Sequence, residues 1–505
     1  MHSLPTHLRA LIFLLFAFGL AIVFQYLFFR RQVFSIKWAF IWVSIAGVAF
    51  LAEDMLIFFF YVALVCFFGI PKKGNIRISY YFAMLPILPT FVYEIPGLPG
   101  IRYLFNLTYP RMLALLILLP LFFSYIRQPL ASRDKLFSSR LDKFVAFYVL
   151  LLSVLAFRGS GISITEGLRV DVLLFLDIFL PYFVISRYID SIEDIRQVFI
   201  AILFSAIMLS FVGMFEARLS WDFYGYLREA LGYLPNNIGD WYHARGGFVR
   251  IRTTMSPIPF GYFLALVLGI YLYLKDHFEF NKITTIATVG LILSALYFTG
   301  SRGAWLAAMI VFAVYAYLKI RSRQKRIGII FLGAIVFIGV MVSGGGTYDD
   351  KTGTFDYRIR LVTTSISVVS KNFFFGTDDP NKYGDLEVMR QGQGIIDIVN
   401  TYVQVALYSG MVGFFLFTSI FVGLFYQLYK KHRTLRLLDW EDAYLMNVIL
   451  LALMAATIIM IGTVSSVSFI PIYYWSLIAI CSAYVRIVSK KTADFRSEES
   501  QITRD

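Results

Sequence analysis

One arginine stands alone in a long apolar stretch of this chain. Arg302 lies in TGSRGAWLA, residues 299–307, and its nearest charged neighbours along the chain are Lys282 and Lys319. An ionisable residue at membrane depth usually has a functional role. The alternative is an interfacial arginine whose head group reaches the lipid surface. We favour the functional cation, and the flanking Gly300 and Gly303 permit a tight turn or a close approach of helices.

A second group of basic residues precedes the apolar run that begins near residue 256. The sequence HARGGFVRIR contains His243, Arg245, Arg250 and Arg252. Guanidinium groups are always charged and present planar donors that bind phosphate oxygens in pairs. We therefore predict an anion site here, with lipid contact or pairing with acidic loop residues as the alternatives. His243 and Arg245 are the weaker candidates.

Further polar side chains approach the apolar run that follows residue 396. Arg358 and Arg360 lie in FDYRIRLV and could add cations over an anionic group. Asp397 and Asn400 are about one helical turn apart and are predicted to share one helix face. Burial would raise the pKa of Asp397 and suit it to act as a general base. It could equally be an acid favoured by the dipole at a helix N-terminus.

Metal, redox and nucleotide chemistry are not indicated. The two cysteines, Cys66 and Cys481, lie in apolar segments and predict neither a disulfide nor a metal cluster. No glycine-rich nucleotide-binding motif is present. We expect no metal and no cofactor, because the acidic loop residues do not have the spacing of a calcium loop; these are Asp349, Asp350, Asp378, Asp379 and Asp385.

The composition determines the solvent in which these residues act. Of the 505 residues, 59% are hydrophobic, 18% aromatic and 15% charged, against roughly 45–50% apolar in soluble domains. Apolar runs long enough to cross a bilayer recur from about residue 10 to about residue 487. The chain is therefore predicted to be an all-α polytopic membrane protein with about 12 to 15 transmembrane helices. Residues 1–505 form a single integral membrane domain in this interpretation.

The basic residues also predict the topology. Lysines and arginines cluster on every second loop, which indicates a cytoplasmic location for those loops and for the tail at 488–505. The net charge of +14 then reflects topology and attraction to anionic lipids rather than nucleic-acid binding. Two long loops, 216–255 and 344–396, fall on the outer face. Pro257 and Pro259 are expected to bend or break the start of the following span.

These features together resemble the O-antigen ligase and polymerase superfamily. They are an outward arginine before a proline-containing span, the SRGAWLA hairpin, a large outer loop, and an Asn-x-Tyr segment followed by glycine. The resemblance covers mainly residues 245–425. The N-terminal half is similar only in its span pattern and in the turn at residues 94–111.

The resemblance implies a membrane-embedded glycosyltransferase of the GT-C-like class. Its members use undecaprenyl-diphosphate-linked glycans at the periplasmic face of the bacterial inner membrane, without metal or nucleotide sugar. Arg250, Arg252 and Arg302 would bind the diphosphate, with Arg358 and Arg360 as further cations. A flippase and a chain-length regulator would be partners.

One departure from the family pattern bears on the reaction. Ligases of this family carry a histidine followed by Asn, Ser or Gln, then nine residues and a glycine. That pattern aligns with Val399, Asn400 and Gly410, and valine cannot accept a proton. We therefore predict a Wzy-type polymerase of O-antigen or exopolysaccharide in which Asp397 replaces the histidine and Asn400 lies beside it. The alternatives are an O-antigen ligase or O-linked protein oligosaccharyltransferase, and a secondary transporter.

Overall fold

The structure is a computed structural model of a helical protein. It describes residues 4–33, 35–52, 54–129, 139–159, 163–230, 244–245, 248–320, 322–343, 354–390, 396–436 and 440–502. The elements of the first half are α1 Thr6–Val33, α2 Ile36–Leu51, α3 Met55–Gly69, α4 Gly74–Met84, β1 Tyr93–Pro96, β2 Tyr103–Leu107, α5 Tyr109–Leu113, α6 Leu119–Ile126, α7 Arg140–Leu155, α8 Ile164–Leu174, α9 Leu180–Tyr188 and α10 Ile192–Leu219. Single π-helical turns, Ala114–Leu118 and Phe175–Phe179, join α5 to α6 and α8 to α9.

The second half contains the predicted site residues. Its elements are α11 Gly225–Ala230, β3 Ala244–Arg245, β4 Phe248–Val249, α12 Pro257–Phe278, α13 Lys282–Phe298, α14 Arg302–Lys319, α15 Arg323–Ser343, α16 Thr354–Lys371, α17 Gly384–Glu387, α18 Thr401–Leu435, α19 Glu441–Ile461 and α20 Phe469–Ile502. Strands β1 and β2 pair antiparallel, as do β3 and β4. The long segment at 344–396 thus includes an 18-residue helix, α16.

Eight of the described helices or continuous helical runs are long and apolar enough to cross a membrane. They are Thr6–Phe29, Tyr109–Ile126, Ile192–Leu219, Pro257–Phe278, Arg302–Lys319, Thr401–Leu435, Glu441–Ile461 and Phe469–Ala493. Shorter apolar helices cover Ile36–Leu51, Met55–Gly69 and Lys282–Phe298. The prediction of an all-α, multi-pass membrane protein is confirmed.

The centre of the bundle lies around α12. Of its apolar window, 89% is buried within the protein, and α12 packs against α10, α13, α14 and α19. Gly261 allows α12 to approach the turn before α14, because a Cβ there would lie 2.9 Å from both Ala304 Cβ and Thr299 Oγ1. This packing fixes the start of α14, where Arg302 is located.

The prolines of α12 do not break its start, and that expectation was wrong. Pro257 and Pro259 are the first and third residues of a continuous helix. The first turn of an α-helix has no intrahelical acceptors for its N–H groups, so proline is tolerated there. No broken half-helix with free backbone groups results.

The break in a span occurs instead in α18, at Gly410. Its φ of +64° and ψ of −168° belong to a region that essentially only glycine occupies. The turn that follows α16 supplies hydrogen bonds that the break would otherwise lose. Phe373 O and Phe374 O accept from Met411 N at 2.8 Å and from Val412 N at 3.2 Å.

Arg158 bonds the segment after α16 to the part of α18 that precedes this break. Its guanidinium donates to the carbonyl oxygens of Phe375 and Tyr408, and to Thr377 O at 2.6 Å. Thr377 N also donates to Leu407 O at 2.8 Å. The segment that leads from α16 toward α18 is therefore anchored to the span by both backbone and side-chain bonds.

We expect Gly410→Ala to destabilise the protein severely. An added Cβ would lie 2.4 Å from the backbone of Phe374, in a conformation that costs about 1–3 kcal/mol for other residues. Gly423→Ala is the matched control in the same helix, because nothing lies within 4 Å of its Cβ position. Thermal unfolding in detergent should show a lowered Tm only for Gly410→Ala. Equal Tm values for the two variants would contradict the structural role of the break.

Candidate active site

Arg302 is the first residue of α14 and follows a tight turn. Gly300 has a φ of +60°, which glycine adopts without strain, and the turn reverses the chain between α13 and α14. The Arg302 side chain is exposed. It makes no hydrogen bond or ion pair with another described residue. The turn therefore presents a charged group that is open to an incoming anion.

Arg250 lies against the same turn. Its Nε donates to Thr299 O at 2.7 Å, and the backbone N of Ile251 donates to Phe298 O at 3.1 Å. Arg250 is only 5% exposed, and a Cβ on Gly300 would lie 3.2 Å from its Nε. The structure thus brings Arg250 close to Arg302, in a position that supports the turn.

Arg252 has acidic neighbours. Its guanidinium lies 3.5 Å from Asp222 Oδ2, and its backbone N donates to Glu216 Oε2 at 3.0 Å. The buried Glu216 also accepts from Thr253 N at 2.8 Å. The sequence left open that these arginines pair with acidic loop residues, and Arg252 does so. Asp222 partly neutralises its charge.

Arg358 extends from α16 toward Thr463, which lies near the start of α14 and Arg302. Its Nη2 donates to Thr463 O at 3.3 Å. Although the side chain retains solvent exposure, burial of the guanidinium lowers the pKa of Arg358, with Asp397 opposing and Arg302 adding to that shift. Two cations and one carboxylate from three parts of the chain are thus electrostatic neighbours.

Arg360 is oriented differently from Arg358. Residues two apart on an α-helix are separated by about 200° around its axis. Arg360 is exposed on α16, so it faces away from the direction in which Arg358 contacts Thr463. The structure therefore does not bring Arg360 into the group formed by Arg302, Arg358 and Asp397.

Asp397 and Asn400 do not share a helix face, and that prediction was wrong. Residues 396–400 are non-helical, and α18 begins at Thr401. Asn400 is the N-cap, and its Oδ1 accepts from Tyr402 N at 2.9 Å and Val403 N at 3.2 Å. This capping favours a helix start at Thr401 and leaves Asp397 in the non-helical segment ahead of it.

The Asp397 carboxylate is partly buried and held in place on one side. Its Oδ1 accepts from Ser465 Oγ at 3.1 Å, and its backbone O accepts from Tyr357 OH at 2.9 Å. No other described residue donates to Oδ2. Burial raises the pKa of Asp397, while the Ser465 hydrogen bond and the Arg358 charge lower it. The carboxylate can therefore accept a proton at a higher pH than an exposed aspartate would.

Sequence reasoning missed the segment that connects these groups, Thr463–Ser466 between α19 and α20. Thr463 contacts Arg358, and a Cβ on Gly303 would lie 3.1 Å from Thr463 Oγ1. Val464 O accepts from Thr401 Oγ1 at 2.8 Å. The available signal was the polar run TVSSVS between two apolar spans.

His243 and the Arg245 side chain fall outside the described residues. Val399 packs beside a small apolar cluster formed by Leu361, Val368, Leu386, Met389 and Leu407. Among the residues that the structure describes, no three His, Cys, Asp or Glu side chains are grouped so that they could hold a metal ion.

A comparison with protein families finds a similarity that covers about a quarter of the chain. Residues 287–418 match the family model described as O-antigen ligase. The match includes Arg302, Arg358 and Asp397 and ends before Thr463–Ser466. The match supports the O-antigen ligase and polymerase superfamily, so the prediction from the resemblance is confirmed over these residues. No curated protein matches the chain.

Proposed function

We propose that this protein is a polysaccharide polymerase that acts on undecaprenyl-diphosphate-linked repeat units. The family match supports an enzyme of the ligase or polymerase type, and it weighs against the transporter alternative. The observation that carries the proposal is that three groups meet at Thr463–Ser466: Arg358 donates to Thr463 O, Asp397 accepts from Ser465 Oγ, and Gly303, next to Arg302, lies against Thr463. This arrangement offers cations for a leaving diphosphate and a carboxylate for an acceptor hydroxyl.

The proposed reaction breaks the bond between the sugar C1 of the growing chain and its diphosphate. An acceptor hydroxyl on the next lipid-linked repeat forms the new glycosidic bond to C1, and its proton passes to Asp397. The bonding electrons remain on undecaprenyl diphosphate, where negative charge develops. Arg302 and Arg358 stabilise that charge, which is the type of interaction that contributes most in many active sites. Arg250 supports the turn that carries Arg302.

Val399 favours a polymerase over a ligase. It occupies the position where ligases of the family have a histidine, and it packs beside an apolar cluster. Along the chain, the carboxylate closest to Val399 is that of Asp397, two residues earlier. It can accept a proton. Against this, the matched family description names ligases, so an O-antigen ligase or O-linked protein oligosaccharyltransferase is the second candidate.

Loss of the gene separates these two candidates. Cells that lack a polymerase should accumulate single repeat units on undecaprenyl diphosphate, whereas cells that lack a ligase should accumulate lipid-linked polymer. Extraction of lipid-linked glycans and separation by size makes the distinction. Accumulated polymer would overturn the polymerase proposal in favour of the second candidate.

The proposed location is the bacterial inner membrane, with Arg302 and Asp397 facing the periplasm. The alternation of basic loops along the chain supports this orientation. A flippase would deliver the lipid-linked repeats to this side, and a chain-length regulator would act on the product.

Ser465→Ala should move the acid limb of the pH profile of polymerisation to higher pH. A general base must be deprotonated, so activity falls as pH falls through the pKa of Asp397, which burial has already raised. Removing the Ser465 hydrogen bond removes an interaction that lowers this pKa. Rates measured with purified protein across pH should show the shift, and Ser465→Thr should restore the wild-type profile. An equal loss of rate at every pH would instead indicate a purely structural role for Ser465.

A further inference from the structure

Helix α16 has three distinct faces, although it is not one of the candidate spans. One face is buried against the protein through Leu361, Ser365 and Val368. These residues recur with a spacing of three or four, which places them on one side of the helix. A helix that only covered the protein would expose polar side chains over the rest of its surface.

The second face is apolar and uncovered. Ile359, Val362 and Ile366 are 50%, 37% and 62% exposed. At 100° per residue they fall within about 60° of one another around the helix axis. We refer to these three residues as the apolar stripe. The third face is polar, and its residues are Arg360, Thr363, Ser367, Ser370 and Lys371.

The apolar surface continues from the end of α16 toward a candidate span. Phe373, Phe374 and Phe375 follow the helix and are 50%, 64% and 52% exposed. Phe373 and Phe374 are hydrogen-bonded through their backbone to α18 at Met411 and Val412. The exposed phenylalanines are therefore fixed beside a membrane-spanning helix, within its N-terminal third.

We infer that α16 is an interfacial helix whose apolar stripe is buried in the boundary of the lipid bilayer. A helix that lies in this boundary has an apolar side toward the acyl chains and a polar side toward water. The buried face of α16 packs on the protein. The partner is a lipid surface, and the cations Arg358, Arg360 and Lys371 suit anionic head groups.

This arrangement accounts for the different positions of the two arginines. Arg358 precedes the stripe residue Ile359 and lies between the stripe and the buried face, so it would be at head-group depth beside Arg302. Arg360 is about 100° beyond Ile359, on the polar face. The inference depends on the membrane location of the chain and not on the identity of the glycosyl acceptor.

Single cysteines at adjacent positions test this inference. Ile359→Cys and Arg360→Cys are compared in the full-length chain, each labelled with a fluorophore, in vesicles of phosphatidylethanolamine and phosphatidylglycerol. Cys66 and Cys481 are buried, so the background labelling should be low. Phospholipid with a quencher near the head-group end of its acyl chain should quench the label at Ile359 several-fold more than the label at Arg360, and aqueous iodide should show the reverse order.

If Ile359→Cys fails to fold, the same quenching measurement is made on Ile366→Cys, which lies in the apolar stripe as well. Equal quenching by iodide at positions 359 and 360, without quenching by lipid, would overturn the inference. Quenching by lipid at Ile359 and Ile366 that requires added undecaprenyl lipid would also overturn it, because the stripe would then hold the polyprenyl chain of a substrate. Strong lipid quenching in plain vesicles at both stripe positions supports it.

Discussion

Arg302→Ala should reduce polymer formation by about 10²- to 10³-fold, the loss typical when one group that stabilises transition-state charge is removed. Arg302 begins α14 after the Gly300 turn, is exposed, and has no bonded partner among the described residues. Its removal should therefore leave the packing intact while it deprives the leaving diphosphate of a cation. The measurement is the size distribution of lipid-linked glycans in cells, where single repeats should accumulate.

Two further variants control for this result. Arg360→Ala removes an exposed arginine that lies outside the group and should leave polymer formation near the wild-type level. Arg302→Lys keeps the charge but loses the planar pair of donors, so it should retain intermediate activity. The amount of each variant in the membrane must match the wild type. Unchanged polymer length in Arg302→Ala would remove Arg302 from the proposed mechanism.

Asp397→Asn should lower the rate of polymerisation by about 10²- to 10⁴-fold, the usual contribution of a general base. The amide has the shape of the carboxylate, and its oxygen can still accept the hydrogen bond from Ser465. The backbone bond from Tyr357 is also unaffected. The fold should therefore persist while the group that accepts the proton is lost.

The comparison with Asp397→Glu makes this result specific. Glutamate can still accept a proton, but from a position displaced by one methylene group, so it should retain more activity than asparagine. Rates are measured with purified protein and a lipid-linked repeat, alongside Tm values to confirm folding. Full activity of Asp397→Asn would eliminate Asp397 as the base.

Local chemistry made part of this structure predictable from the sequence. The apolar composition predicted a helical membrane protein, and Gly300 adopts the positive φ that the Gly-Ser-Arg-Gly sequence suggested. The SRGAWLA hairpin also indicated the superfamily. These features depend on residues that are close together in the chain, so the sequence carries enough information about them.

Other features depend on competition between local signals. The spacing of Asp397 and Asn400 suggested one helix face, but the capping bonds of Asn400 start the helix after both residues. Pro257 suggested a broken span, yet it lies in the first turn of α12, where its missing N–H removes no hydrogen bond. Neither outcome follows from residue spacing alone, because each depends on which residue begins the helix.

The remaining features depend on contacts between distant parts of the chain. Ser465 bonds to Asp397 across 68 positions, and Arg158 bonds to Tyr408 across 250. Nothing in the local sequence of Arg158 indicates that it supports a break in α18. Such contacts become visible only when the spans are packed together.

Reconstitution tests the proposed function most directly. The purified protein is placed in vesicles with a single undecaprenyl-diphosphate-linked repeat unit, with no other protein or acceptor, and the products are separated by size. A polymerase should produce a ladder with steps of one repeat, and Arg302→Ala should produce none. Wild-type protein that leaves the single repeat unextended, but transfers a preformed chain to lipid A or to a protein when one is supplied, would contradict the proposal.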